Sequence, residues 1–260
     1  MDSEAIRRAA LTIRSCWENR RRLTALPEDC RPKRLRDGYE IQRELESLQG
    51  ATIGWKIAAT SKAGQQHIGV DAPLAGRLFK RFAHGDGARL PAGHLHMRVA
   101  EAEFAFKMAQ DLPARGEPYM LDEVMSAVDT LHLAIEVPDS RYEDFATIGA
   151  PSLVADDSCA AYFVLGPEAR TWRLADLPTH KVTAHKNGEI VAEGSGANVL
   201  GDPREALAWI ANDLQGRGDY LRAGEVITTG TCVKPVTIAP GDSIVMDFGD
   251  LGSVRASFME

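Results

Sequence analysis

The sequence predicts an α+β protein, with an N-terminal helical segment over 1–50 and a largely β domain over 51–260. Three observations carry that reading. Two stretches before Gly50 have apolar residues at helical spacing. From Thr52 onward the apolar runs shorten to strand length, and Gly and Pro punctuate the chain between them. A chain of 260 residues can also bury a substantial core.

The first helix is expected over 3–23, where Ile6, Ala9, Ala10, Ile13, Cys16 and Trp17 share a stripe before Pro27 and Pro32. A second is expected over 37–48, built on Tyr39, Ile41, Leu45 and Leu48 and stopped by Gly50. Ile53-Gly54-Trp55-Lys56-Ile57 reads as a strand, followed by a loop-rich stretch to about Gly93. Further strands are predicted over 99–108, 131–137, 160–165, 181–193, 225–230, 243–248 and 253–258, with helices near 121–129 and 203–217. The last helix has the clearest start: Asp202 as N-cap, Pro203 at the first position and Glu205 in the first turn. Pro240-Gly241-Asp242 and Asp250-Leu251-Gly252 read as turns between C-terminal strands.

The net charge of -7 is unevenly spread. Residues 1–36 hold ten Lys/Arg against five Asp/Glu, so this segment is +5 and the remainder about -12. No aromatic platform accompanies the basic residues, so they read as a solvated helix face or a surface meeting an acidic subunit rather than a nucleic-acid tail. No apolar run approaches the roughly 20 residues that span a bilayer. The N-terminus carries no apolar signal region, which makes a cytoplasmic location the expectation. Cys16, Cys30, Cys159 and Cys232 are scattered, without the spacing of a thiolate zinc site.

The chemistry-bearing residues are carboxylates. Glu101 and Glu103 lie two apart in Val99-Ala100-Glu101-Ala102-Glu103-Phe104-Ala105-Phe106, and in a strand such residues share a face. Glu136 sits in a second apolar run, Leu133-Ala134-Ile135-Glu136-Val137. Like charges at the edge of a core need a cation or hydrogen-bond donors. Three carboxylates suit an oxygen-ligand site for Mg²⁺ or Mn²⁺; the same residues also fit a solvent-facing acidic row. Lys56, in an apolar strand, is a candidate for proton transfer or anion binding, or a surface lysine with its stem on Trp55. His94 and His96 would share an extended face, but no third nitrogen or sulfur ligand accompanies them. Asp156-Asp157-Ser158 reads as a substrate or water site or as an Asx-type turn. In Thr228-Thr229-Gly230-Thr231-Cys232, hydroxyls and backbone N–H groups could hold a carboxylate, and Cys232 reads as a buried structural thiol.

In order and spacing these blocks resemble the fumarylacetoacetate hydrolase superfamily, in the branch of 2-keto-4-pentenoate hydratases and 4-oxalocrotonate decarboxylases of aromatic catabolism. Gly54-Trp55-Lys56-Ile57 with Thr60-Ser61-Lys62-Ala63 and Ile68-Gly69-Val70 resembles the lysine-bearing block. Glu101-Ala102-Glu103 and Ile135-Glu136-Val137 with Asp139-Ser140-Arg141 resemble the metal blocks. Gly194-Ser195-Gly196-Ala197 through Leu200-Gly201-Asp202-Pro203 resembles a C-terminal signature. The resemblance implies a mixed β-roll in which Glu101, Glu103 and Glu136 hold Mg²⁺ or Mn²⁺ and a small 2-oxo acid chelates the metal. It implies Lys56 as a proton carrier or charge neutraliser, a homo-oligomer, and association with a partner enzyme of the same pathway. Ser158 and Thr231 are the candidate substrate-binding hydroxyls. One departure is Leu74, where the branch often has an acid after the proline; Asp71 is the candidate substitute. The other is Asp156-Asp157, where Asp-Asn is usual. A hydratase is the expected activity, with the decarboxylase or a non-catalytic partner subunit as alternatives.

Overall fold

The computed structural model describes residues 1–260. In chain order the elements begin with helices α1 (Ser3–Glu18) and α2 (Leu35–Gln49), strand β1 (Thr52–Ala58), helix α3 (Lys62–Ile68) and strands β2 (Leu74–Phe79), β3 (Ala83–Gly85), β4 (Ala88–Pro91) and β5 (Val99–Met108). Helix α4 (Leu121–Ser126), strand β6 (Val128–Val137), helix α5 (Ala150–Ala155) and strands β7 (Tyr162–Glu168), β8 (Lys181–Lys186) and β9 (Glu189–Ser195) follow. Helix α6 (Pro203–Gly216) and strands β10 (Val226–Thr231), β11 (Val236–Thr237), β12 (Ser243–Asp247) and β13 (Ser253–Met259) complete the chain.

The strands form two mixed sheets wrapped on a common core, a mixed β-roll. The eight-stranded sheet runs β2-β1-β10-β5-β6-β7-β3, with β11 added on β5, and the five-stranded sheet runs β4-β13-β12-β8-β9. The two-residue period of the strands decides what each face carries. On β5, Ala100, Ala102, Phe104, Phe106 and Met108 enter the 45-residue core between the sheets, where Phe104 meets Phe248 with ring centroids 5.0 Å apart. On β6, Leu131, Leu133, Ile135 and Val137 do the same. The opposite face of the large sheet therefore receives Glu101, Glu103 and Glu136, and on β1 it receives Lys56 between the core residues Trp55 and Ile57. Register lines these residues up: Glu101 stands opposite Glu136, Thr231 opposite Glu103, and Lys56 opposite Thr228 on one side and Gly76 on the other.

The N-terminal helices bury Ala5, Ala9, Ala10 and Ile13 of α1 against Ile41 and Leu45 of α2, with Tyr142 and Ala155 from the β-rich part. No helix is long and apolar enough to cross a membrane. Several boundaries differ from expectation. Helix α1 stops at Glu18, where Asn19 caps it, and Arg20 turns with φ 54° so that Leu23 can bridge to Tyr142. The stretch 181–193 is a hairpin rather than one strand: Asn187 and Gly188, at φ 54° and 90°, form its two-residue turn. Helix α4 ends at Ser126, and the following residues start β6 instead of extending a helix to 129. The presumed loop to Gly93 contains α3 and β2–β4.

Candidate metal centre and cavity

The acidic cluster is assembled by strand register. One ligand atom each from Glu101, Glu103 and Glu136 lies within 4.8 Å of the others. Glu103 Oε2 is fixed by the Thr228 hydroxyl, in a short hydrogen bond, and by the Gly230 N–H at 2.8 Å. The Thr228–Thr231 segment thus does hold a carboxylate, but the carboxylate belongs to the protein. Glu103 Oε1 and both oxygens of Glu136 are buried without a hydrogen-bond partner. Glu136 Oε1 does lie 3.0 Å from Lys56 Nζ, an ion pair by distance that lacks hydrogen-bond alignment. Native interiors seldom leave such oxygens unpartnered, and three together mark a place for a cation. Burial, then the Glu136 charge, pushes the Glu101 carboxyl up to about 7 against the opposing pull of Lys56. Burial and the two neighbouring carboxylates hold Glu103 well above the ordinary range, with the Thr228 hydrogen bond and Lys56 opposing. Three carboxylates, one ammonium and one divalent cation sum to zero. The hard oxygen donors and the orphaned lone pairs therefore fit Mg²⁺ or Mn²⁺.

Lys56 is buried at 3 % exposure. Burial disfavours its charge, yet Glu136, Glu101 and Glu103 outweigh that and raise it above the usual lysine range. Nζ donates to the Ser158 carbonyl at 3.1 Å. That carbonyl belongs to three consecutive left-handed residues, Asp157, Ser158 and Cys159, at φ 54°, 50° and 63°. Non-glycine residues occupy this region at a cost, so a run of three marks an enforced shape. Gly76 makes the shelf possible: a Cβ there would stand 2.5 Å from the Asp157 carbonyl oxygen and 3.1 Å from Lys56 Cγ and Cδ.

A cavity of about 700 Å³ opens beside the cluster, with Lys56, Glu101, Ser158, Thr231 and Asn198 in its lining. The predicted site residues distribute unequally around it. Lys56 and the three glutamates converge. Ser158 borders the cavity, but its hydroxyl donates 2.9 Å to the Ala75 carbonyl. The Thr231 hydroxyl donates 2.7 Å to the Val233 carbonyl, which leaves this lining residue able to accept but not to donate. Asp71 is a correction: it is exposed in the bend before β2 and does not line the cavity, because the strand that reaches the site begins only at Leu74. His94 and His96 diverge, one against Tyr162 and the other hydrogen-bonded to the Glu143 carbonyl. Asp157 Oδ1 accepts the Arg77 N–H at 2.7 Å, and burial pushes this carboxyl up to about 8, so near neutral pH it is largely a neutral acid in the place of the usual asparagine. Cys232 is fully buried and its thiol is raised by burial, an inert packing residue.

Sequence reading missed Gly76 and the far wall of Met97, Phe145 and Leu153. The wall residues come from separated segments with no shared motif. Gly76 could have been noticed as an isolated glycine within a strand.

A β-roll whose large sheet carries three convergent carboxylates and a paired lysine beside a cavity defines a divalent-metal enzyme of carboxylate type. Residues 70–259 match the profile of the fumarylacetoacetate (FAA) hydrolase C-terminal family, and the chain belongs to that family. It is 35% identical over 263 residues to a 2-keto-4-pentenoate hydratase of Burkholderia vietnamiensis, covering 100% of this chain and 99% of the relative. It is 36% identical over 221 residues to a 4-oxalocrotonate decarboxylase of Pseudomonas putida, covering 85% of this chain and 83% of the relative. Among solved structures, 4-oxalocrotonate decarboxylase from Pseudomonas putida G7, complexed with magnesium and adipate, superposes with a TM-score of 0.91 at 33% identity, covering 100% of this chain and 99% of that one.

Proposed function

We propose that the protein is a metal-dependent hydratase that adds water to a 2-hydroxy-2,4-dienoate of the 2-keto-4-pentenoate type. The observation that carries this reading is the trio of buried, unpartnered carboxylate oxygens beside an ammonium that lines the cavity. Glu101, Glu103 and Glu136 would hold Mg²⁺ or Mn²⁺, which supplies Lewis acidity toward the carboxylate and C2 oxygen of a 2-oxo acid. Lys56 Nζ, 3.0 Å from Glu136 Oε1, would offset charge developing on the C2 oxygen. Ketonisation moves the C2 hydroxyl proton to C5, leaving a C3–C4 double bond conjugated with the carbonyl. Water then adds across it, hydroxyl to C4 and hydrogen to C3. Thr231, half-buried in the lining, offers an acceptor for the substrate or the attacking water.

Decarboxylation of a 4-oxalocrotonate-type 2-oxo diacid is the second reading, supported by the fit to the decarboxylase structure over the full chain. Loss of CO₂ there leaves its bonding electrons in the dienolate of the same 2-hydroxydienoate, which a proton on the C2 oxygen completes. Full-length similarity to the hydratase supports the first reading. Assembly as a homo-oligomer, and with a partner enzyme of the same pathway, belongs to the same proposal. The test is loss of ultraviolet absorbance from 2-hydroxypenta-2,4-dienoate with Mg²⁺- or Mn²⁺-loaded protein, alongside CO₂ release from 4-oxalocrotonate. Metal-dependent hydration without CO₂ release is expected. Metal binding with no turnover of either compound would remove both readings and leave a non-catalytic subunit or an enzyme for a different substrate.

A further inference from the structure

Two stretches of irregular chain wall one side of the cavity, and a third, far from both in sequence, ties them together. The first is the loop between β4 and β5, which gives His96 and Met97 to the lining; the second follows β6 and gives Pro138 and Phe145. Chain outside a strand ladder must find other acceptors for its N–H groups. The amides of His96 and Met97 both donate to Asp139 Oδ1, at 2.7 and 2.9 Å. His96 Nε2 meets the Glu143 carbonyl at 3.0 Å. The two loops are thus joined through one carboxylate oxygen and one carbonyl.

Residues 22–24 hold both loops. Of the run Arg20-Arg21-Arg22, Arg22 alone turns inward, its side chain 15% exposed. It pairs at 2.5 Å with Asp139 Oδ2, the oxygen that the wall amides leave free, and donates to the His94 carbonyl at 3.4 Å. Leu23 donates to the Arg141 carbonyl and accepts from the Glu143 N–H, each at 2.9 Å. The Thr24 hydroxyl donates to Glu143 Oε2 at 3.1 Å. One guanidinium therefore touches both loops, and the backbone beside it pairs with the second. All three residues lie outside 70–259, the part of the chain that matches the family profile. Asp139 is itself buried, and Arg22 is its ion-pair partner. Without Arg22 the carboxylate would take up a proton or turn to water, and either change costs the wall amides a fixed acceptor.

We infer that Arg22 is a positioning residue for the cavity: through Asp139 it fixes the wall formed by His96 and Met97, so the N-terminal segment completes the binding site. That the substrate meets this wall rests on the oxo-acid reading of the cavity. None of the three glutamates belongs to the wall, so its contacts act on binding rather than on the chemical step. Their loss shows in KM, with kcat unchanged.

The test pairs amide hydrogen exchange with kinetics on the Mn²⁺-loaded full chain. In Arg22→Ala the amides of His96 and Met97 are expected to exchange about tenfold faster, while those of β5 and β6 hold. KM for 2-hydroxypenta-2,4-dienoate is expected to rise about tenfold, with kcat and Mn²⁺ affinity within about twofold of the wild type. Arg22→Lys keeps a cation for Asp139 and is expected to recover most of both effects. Should Arg22→Ala fail to fold, Thr24→Val at an exposed position carries the same test, with effects of about two- to threefold. Unchanged exchange at His96 and Met97, or faster exchange with an unchanged KM, overturns the positioning role and leaves the oxo-acid reading intact. So does a loss of kcat and Mn²⁺ affinity in step with the rise in KM, the mark of a general loosening. A wild type that does not turn over the dienoate removes the oxo-acid reading instead, and the exchange result then decides by itself whether Arg22 fixes the wall.

Discussion

Two clusters of buried charge lie in this molecule, and they are built on opposite rules. Every side-chain polar atom of Arg141 and Asp156 is answered. The Arg141 guanidinium pairs with Asp156 and donates to the Asp139 and Ala160 carbonyls, each at 2.8 Å, while it lies 3.9 Å over the Trp17 ring. Asp156 Oδ2 in turn accepts from the Ser140 hydroxyl at 2.8 Å and the Arg141 N–H at 2.9 Å. On the carboxylate face of β5 and β6, by contrast, three oxygens have no hydrogen-bond partner and only one lysine offsets three acids. A buried network that is complete within the chain is scaffold. One that is incomplete is a site awaiting what completes it.

That contrast breaks first at Arg141. Arg141→Met leaves Asp156 buried and unpaired, and a loss of about 3–5 kcal/mol is expected in urea denaturation, with or without metal. A loss under 1 kcal/mol would show that the network is dispensable. The carboxylate face responds oppositely. Adding Mg²⁺ or Mn²⁺ at a hundred times its Kd is expected to stabilise the wild type by about 2.7 kcal/mol. Glu136→Gln is expected to abolish both that gain and turnover while folding normally in chelator. A variant that keeps the metal-induced shift would place the ion elsewhere.

The pH dependence of the metal-free protein sharpens the same difference. Glu101 is raised to about 7 in the folded state, chiefly by burial and secondarily by Glu136. Its contribution to stability is therefore complete below its unfolded value near 4.5 and is lost as pH rises through 7. Discounted for its opening onto the cavity, the loss amounts to roughly 2 kcal/mol between those limits. Denaturation midpoints in chelator should fall over this window. Glu101→Gln should flatten the fall, and saturating metal should do so as well. A profile unchanged by either would mean that Glu101 is solvated and plays no part in the charge imbalance.

How much of this was legible beforehand depended on whether a feature was local. Helix α6 declares itself through Asp202, Pro203 and Glu205 within four residues, and the Asp202 carboxylate does accept the Arg204 N–H, at 2.9 Å. The Glu101/Glu103 pair was legible because a period of two puts both on one face, and Glu136 because an acid inside an apolar strand needs a reason. Asn187-Gly188 carried a hairpin signal that strand propensity on both sides concealed. The cavity wall was illegible. Phe145, Leu153 and Met97 meet only through long-range packing, and nothing near each of them in the chain specifies the others. Asp71 failed for the reverse reason: nearness in sequence suggested nearness to the site, and a bend before β2 sends it to solvent.

Gly76 ties the complete network to the incomplete one, and its substitution is the finest test of how they cooperate. Its α-carbon lies between the Lys56 stem and the Asp157 carbonyl oxygen, which a Cβ would approach to 2.5 Å. Asp157 follows Asp156 directly, so its backbone is braced by the Arg141 cluster. The Lys56 stem is the less firmly held side and is the one expected to yield. Gly76→Ala should therefore cost only about 1–2 kcal/mol of stability, the usual size of a modest overpacking. It should lower kcat by roughly ten- to a hundredfold, because Nζ moves off both Glu136 and the Ser158 carbonyl. Metal affinity should hold, since the nearest neighbours of a Cβ at Gly76 are the Asp157 carbonyl and the Lys56 stem rather than the three glutamates. A parallel loss of metal affinity would instead mean that the left-handed turn supports the carboxylates as well as the lysine, and that scaffold and site are one network after all.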